Sequence, residues 1–407
     1  MSAVSEVCFE GWDRTCLDLS SKLTEPFCFA YEQLRYRLVA PLDPAKFDNC
    51  PTKVQEVGVR ILIGLGLVVS AFLCLAAPLP MLGFVAVLAI ARTILRAVGF
   101  GLQKEGFTHI RGEAPEKKIE ISLLKVMTWN ICALAGGMSL DHGGVVHWRS
   151  RLEQIVEIIQ QEAPEVLVLQ EIYDTALVEA LVKQLKAEYA HFYVHLGPNV
   201  VGSIGGCMVL SRCAVHDFSH TSFENNDWTL NRGFATLEVK ADPADDKPCA
   251  RIVGTHLIHG SEAPDRRKRM EQMAQIVNHV AARTFKAPTV LMGDLNIEKG
   301  SWEEAQTLSH YLEHAYQGEE PTCTNRLIAQ WDGVVRPDER IDYISLFKAS
   351  AALPVVTDGV VLKDCHLIPA FDASYNTKTA LSDHSALAAT LDFAIPKKVE
   401  ESAYRRD

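Results

Sequence analysis

The stretch TVLMGDLN, residues 289–296, decides how this chain is read. Val290, Leu291 and Met292 form a short apolar run, the pattern of a strand buried on both faces. The run closes on Asp294 and Asn296. A carboxylate or amide at the end of a buried strand costs desolvation unless it is paired or bound to a metal. Taken alone, Asp294 reads as a turn former, because Asp and Asn tolerate turn conformations.

The same event recurs on both sides. LLKVMTWN (123–130) ends on Asn130, and EVLVLQ (165–170) ends on Gln170 and Glu171. RIVGTHL (251–257) carries His256, and RIDYISLF (340–347) is interrupted by Asp342. Ser382, Asp383 and His384 precede SALAATLDF (385–393). GCMVLS (206–211) and GFATLEVK (233–240) read as further strands. HWRSRLEQIVEIIQQ (147–161) reads as a helix with Trp148, Leu152, Ile155, Val156 and Ile159 on one face. Helices also fit 174–188 and the charged segment 264–284. Strands alternating with helices predict an α/β sandwich with both sheet faces covered. Open α/β folds collect ligands at strand ends. Each polar interruption alone has a structural explanation; the ordered set points to a site.

The N-terminal part has another texture. Residues 61–91, ILIGLGLVVSAFLCLAAPLPMLGFVAVLAIA, carry no charge, and Arg60 and Arg92 bracket them. A spanning helix needs about 20 apolar residues, so the run is long for one span and short for two. Pro78 and Pro80 divide it, and proline breaks helices. The expectation is a hydrophobic helical hairpin over 61–100, with one Pro-kinked span or a buried soluble hairpin as alternatives. Basic residues flank both ends evenly, which places both on the cytoplasmic side. Residues 1–60 have no readable role, 101–119 read as a linker, 120–394 as the catalytic domain and 395–407 as a polar tail.

The 407 residues carry a net charge of -11, which resides in 120–407. An acidic body argues against nucleic acid as main partner, since phosphate contacts dominate that binding. Eleven cysteines show no CxxC spacing, which argues against a zinc finger or a thioredoxin motif.

In this order, TWNI (128–131), LQE (169–171), GGCMVLSR (205–212), GTHL (254–257), MGDLN (292–296), RIDYI (340–344) and LSDHSAL (381–387) resemble the endonuclease/exonuclease/phosphatase family, with its deoxyribonuclease-I-like fold. The resemblance covers about 120–394 and implies two packed mixed β-sheets flanked by helices, a four-layer α/β sandwich. Within the family the chain is most similar to neutral sphingomyelinase-like phosphodiesterases, through GTHL, GDLNIEKGS (293–301) and TKTALSDHSAL (377–387). Inositol-polyphosphate 5-phosphatases match less well: their tryptophan before GDxN is absent, and Leu291 and Met292 stand there.

The resemblance implies a metal-dependent phosphoric ester hydrolase using Mg²⁺, with Mn²⁺ as an alternative. Glu171 would be the main metal ligand, with Asn130 and Asp383 direct or through water. Hard oxygen donors suit Mg²⁺. His384 would be the general base and Asp342 would orient its ring. His256 and Asn296 would hydrogen-bond the non-bridging oxygens, and Asp294 would orient water or assist the leaving oxygen. Arg232 and His259 are weaker substrate-binding candidates, and His142 and His147 border the same region. Trp302, Trp331 and Phe371 read as core, and Arg266 to Arg269 as a solvated helix face. A phosphoesterase anchored to a bilayer meets lipid at high effective concentration. The expected substrate is therefore a phospholipid headgroup ester of the sphingomyelin type. A phosphoinositide phosphatase, an endonuclease, or a silent membrane scaffold are the alternatives.

Overall fold

The computed structural model describes residues 12–23, 27, 61, 65, 78–103, 105–119, 123–134, 139–226, 230–283, 287–350, 353 and 355–393. Its strands form two mixed sheets. The seven-stranded sheet runs β1 (Thr108–Arg111), β4 (His191–Val194), β5 (Met208–Ser211), β3 (Val166–Ile172), β2 (Leu123–Ala133), β13 (Ala386–Asp392) and β12 (Val361–Ile368). The six-stranded sheet runs β10 (Leu312–His314), β11 (Asp342–Phe347), β9 (Thr289–Asp294), β8 (Ala250–His256), β7 (Gly233–Val239) and β6 (Val215–Ser222). One pair in each sheet is parallel, β2 with β3 and β8 with β9.

Side chains alternate across a strand, and the packing follows that period. Val126 and Val168 face the second sheet, where they join Ile252, Val290 and Ile344 in one core. Their neighbours Met127, Trp129, Leu167 and Leu169 face outward, onto α3 (Leu152–Glu162) and α4 (Thr175–Leu185). On the far side Val253 and Leu291 meet Met273, Ile276 and Val280 of α5 (Ala263–Ala281). The result is two sheets packed face to face and flanked by helices, the predicted layering. The buried strands read as unbroken apolar runs because both of their faces are covered.

Two expectations need revision. Thr108–Arg111, inside the stretch read as a linker, pairs antiparallel with β4 and forms the edge of the first sheet. Lys117 bridges Cys213 further on. Nothing in a four-residue polar segment announces a pairing partner so distant in sequence. In the basic run 266–269, Arg269 is 2% exposed and not solvated. Its guanidinium pairs with both Glu303 oxygens at 2.7 Å and donates to the carbonyls of Ile258 and Gly260.

N-terminal to the sheets, α1 (Trp12–Lys22) packs on α2 (Pro78–Leu102). Pro78 stands in the first turn, where a missing N–H breaks no helical bond. The second apolar lobe is thus one helix that starts at the prolines. Its part Gly83–Leu102 is long and apolar enough to cross a membrane. The first lobe, except Ile61 and Leu65, lies outside the described residues, as do most of 1–60 and the tail 395–407. Arg96, which interrupts the apolar pattern, is 3% exposed. It donates to the carbonyls of Asn199, Gly202 and Val200 at 2.5, 2.9 and 3.2 Å. Arg14 of α1 grips Glu179 of α4 at 2.6 and 2.5 Å.

Candidate active site

The strand registers bring the polar strand ends together. Parallel β8 and β9 set His256 beside Asp294, and antiparallel β9 and β11 set Asp342 on the other side of Asp294. In the first sheet, parallel β2 and β3 set Asn130 beside Gln170, next to Glu171. The side-chain amide of Asn130 then donates to Asp294 Oδ2 at 3.0 Å, tying the two sheets at this end. A cleft of about 850 Å³ opens there, and Glu171, Asp383, His384, Asp294, His256, Asn296, Arg232 and His259 all line it.

His384 Nδ1 hydrogen-bonds Asp342 Oδ2 at 2.8 Å, and Nε2 lies 3.8 Å from Asp294 Oδ2. His256 Nε2 lies 3.4 Å from the same Asp294 oxygen. Donor atoms of Asp294, Asp342 and His384 fall within 4.8 Å of one another. The loop before β13 is held firmly. Ser382 Oγ donates to the Asn130 carbonyl at 2.7 Å, and Trp129 Nε1 donates to the His384 carbonyl at 2.8 Å. Asn296 donates its side-chain N–H to the Leu257 carbonyl at 3.1 Å, and its backbone N–H to Asp294 Oδ1 at 2.9 Å.

Three non-glycine residues here have left-handed backbones: Cys132 at φ 47°, Glu171 at φ 61° and Asn296 at φ 52°. Such strain persists where surrounding structure over-determines it, and it clusters at functional sites. Gly143 has no room for a Cβ against Asp383 Oδ2 and Cys132 Sγ.

Burial and the neighbouring Asp383 charge push Glu171 up to about 7. Burial pushes Asp294 up to about 6, with Asp342 adding to the rise against the pull of His384. Burial, then Arg232, hold His256 well below the usual histidine range. Burial alone would lower His384; the carboxylates of Asp342 and Asp294 outweigh it and raise this imidazole. Glu171 and Asp383 thus crowd negative charge into one half-buried corner of the cleft, and both offer hard oxygens, with the Asn130 amide beside them. That donor set fits a divalent cation such as Mg²⁺.

Of the other expected residues, Arg232 is buried and donates to the Leu257 carbonyl and, at 3.3 Å, to the Tyr173 hydroxyl. His142 lines the cleft, whereas His147 is fully buried and caps a short helical turn by accepting from the Arg149 N–H. Gln170 stays inside the sheet, donating to Thr128 Oγ1 and the Val168 carbonyl. Trp302, read as core, is 66% exposed. Trp331 and Phe371 are half-buried.

Two residues that support or border the cleft escaped the sequence reading. Arg151 donates to the carbonyls of Ile131, Cys132, Val146 and Leu381, fastening the end of β2 to the loop before His384. Cys323 lies against His384, and burial pushes its thiol up to about 12. Neither stands at a strand end, the signal used to find the others.

Comparison with known proteins agrees with this fold. Residues 127–384 match the model of the endonuclease/exonuclease/phosphatase family. Sphingomyelinase C of Listeria ivanovii is 24% identical over 311 residues, which cover 69% of this chain and 86% of that protein. A mutant beta toxin of Staphylococcus aureus, solved with bound magnesium ions, superposes with a TM-score of 0.51 at 21% identity. That superposition covers 65% of this chain and 98% of the toxin. SmcL superposes with a TM-score of 0.51 at 20% identity, covering 66% of this chain and 99% of SmcL. At these identities the two structures share the fold with this chain.

Proposed function

The chain belongs to the endonuclease/exonuclease/phosphatase family of phosphoric ester hydrolases, and from that premise we propose that it is a membrane-anchored, Mg²⁺-dependent phosphodiesterase. Its substrate in this reading is a phospholipid headgroup ester of the sphingomyelin type. The observation that carries the reading is the convergence of Glu171, Asp294, Asp383 and His384 on one cleft, with Asp342 hydrogen-bonded behind His384. The membrane-competent helix Gly83–Leu102 and the sphingomyelinase relative support the lipid class. The catalytic domain would lie on the cytoplasmic side.

Glu171, Asp383 and Asn130 would hold the cation, which supplies charge neutralisation to the phosphoryl oxygens when bound. Asp342 fixes Nδ1 of His384, so Nε2 is the nitrogen that accepts the proton of the attacking water. A base with a raised pKa is a stronger acceptor once it has released its own proton. Asp294, 3.8 Å from that nitrogen, orients the water or receives the proton onward. His256 and Asn296 stand on the second sheet's side of the cleft, where they would steady the non-bridging oxygens as charge develops. Arg232 and His259 add positive charge or hydrogen bonds for the substrate. Attack is in line, with the headgroup released as its phosphate ester and the lipid alcohol as leaving group.

The test uses the full chain in vesicles with Mg²⁺, given sphingomyelin, phosphoinositides and plasmid DNA in turn. Phosphocholine release that vanishes in Glu171→Gln and His384→Ala supports the proposal. Inorganic phosphate from phosphoinositides, or nicked plasmid beside inert lipid, moves the substrate to those classes. Inertness on all three favours a scaffold.

A further inference from the structure

Tyr173 follows Glu171 by two residues, lines the same cleft and is 6% exposed. Its ring is fixed. Gly206, at φ 78°, packs so closely that a Cβ there would overlap Cε1, Cδ1 and Cζ of the tyrosine. The Tyr173 backbone N–H donates to the Ala133 carbonyl at 3.3 Å. The hydroxyl accepts from Arg232 Nη2 at 3.3 Å, and Arg232 is itself pinned by its Nη1 on the Leu257 carbonyl.

A phenolic oxygen carries one hydrogen and accepts through its lone pairs. Arg232 uses the acceptor side, so the tyrosine hydrogen must point elsewhere. Among the described residues no acceptor for it lies within hydrogen-bond distance. One more buried donor of the cleft lacks a protein partner among the described residues, Arg232 Nε. Leaving buried donors unmet is costly, and an oxyanion meets them.

We propose that Tyr173 donates its hydroxyl proton as a hydrogen bond to a phosphoryl oxygen of the substrate, aimed and polarised by Arg232. This rests on the reading of the cleft as a phosphoester site, and it adds a fixed neutral donor beside the charged and imidazole groups already described.

The test measures binding of inorganic phosphate to the full chain in the presence of Mg²⁺, by calorimetry, in wild type and Tyr173→Phe. Removing the hydroxyl should weaken phosphate binding on the order of 10-fold. The melting temperature and its rise with Mg²⁺ should match wild type. Fluorotyrosine at 173, a stronger donor and poorer acceptor, should tighten phosphate binding. If the hydroxyl served only to hold Arg232, fluorotyrosine would weaken binding instead, and the proposal falls. Unchanged affinity in Tyr173→Phe, or no phosphate binding by wild type, also overturns it. Weakened phosphate binding in a protein inert toward sphingomyelin would keep the Tyr173 assignment and discard the lipid substrate.

Discussion

Asp342 and Glu171 are both carboxylates at strand ends, yet their surroundings give them different work. Asp342 is 2% exposed and spends Oδ2 on the His384 ring. Glu171 meets the charge of Asp383 and is pushed up to about 7 by burial first and that charge second. The two roles separate in experiment. His384→Ala should lower kcat by about 10²–10⁴-fold, the scale of a lost general base, while Mg²⁺ still raises the melting temperature. Glu171→Gln should remove both the activity and that Mg²⁺-dependent rise, because a ligand stabilises only the state that binds it. Asp342→Asn should cut kcat with the Mg²⁺ response intact. Equal loss of the Mg²⁺ response in all three variants would contradict this division of labour.

At the scale of elements, the decisive piece is the join between α2 and the first sheet. Phe84, Val87, Ile90, Ile94 and Val98 are exposed along α2, while its Arg96 is buried against the 199–202 loop. The helix is thus apolar where it leaves the domain and polar where it grips it. Arg96→Ala would strip three carbonyls of their donor, a loss on the order of 2–4 kcal/mol. Hydrogen exchange of the 199–202 backbone should then accelerate, while strands β8 and β9 keep their protection. The α1–α2 contact depends on Gly99, where a Cβ would lie 2.8 Å from Leu17 Cγ and 3.0 Å from the Asp13 carbonyl. Gly99→Val should cost about 1–3 kcal/mol of overpacking and expose α1 to proteases, leaving the sheets folded.

At the scale of the molecule, several histidines are buried as neutral rings. His195 is 1% exposed, both ring nitrogens lack partners among the described residues, and burial lowers it to about 3, with Arg14 and Arg96 adding to the fall. Burial lowers His220 to about 4. The unfolded chain protonates these rings near pH 6.5, the folded chain far lower. Stability is therefore whole above pH 6.5 and lost as pH falls toward the folded values. Each such ring steepens the loss by about 1.4 kcal/mol per pH unit. Chemical denaturation at pH 7, 6 and 5 should show the midpoint falling, and His195→Gln should flatten that dependence. A His195→Gln variant that keeps the wild-type slope would contradict the neutral-ring assignment.

What the sequence determined by itself is the order of polar interruptions in apolar strands, and with it the layered α/β fold and the cluster around His384. Each signal is local, since a polar group at a buried strand end costs desolvation, but Asn130, Glu171, Asp294 and Asp342 pointed to a site only as an ordered set. The uncharged apolar run at 61–91 was legible because it is continuous in sequence. Tertiary structure alone decided what depends on partners far apart in the chain. It joined Asn130 to Asp294 across two sheets, paired Thr108–Arg111 with β4, buried Arg96 and Arg269, and set Tyr173 against Arg232. A buried arginine or tyrosine resembles an exposed one in sequence; only the packing around it tells whether its hydrogen bonds go to water, to a backbone carbonyl or to a ligand.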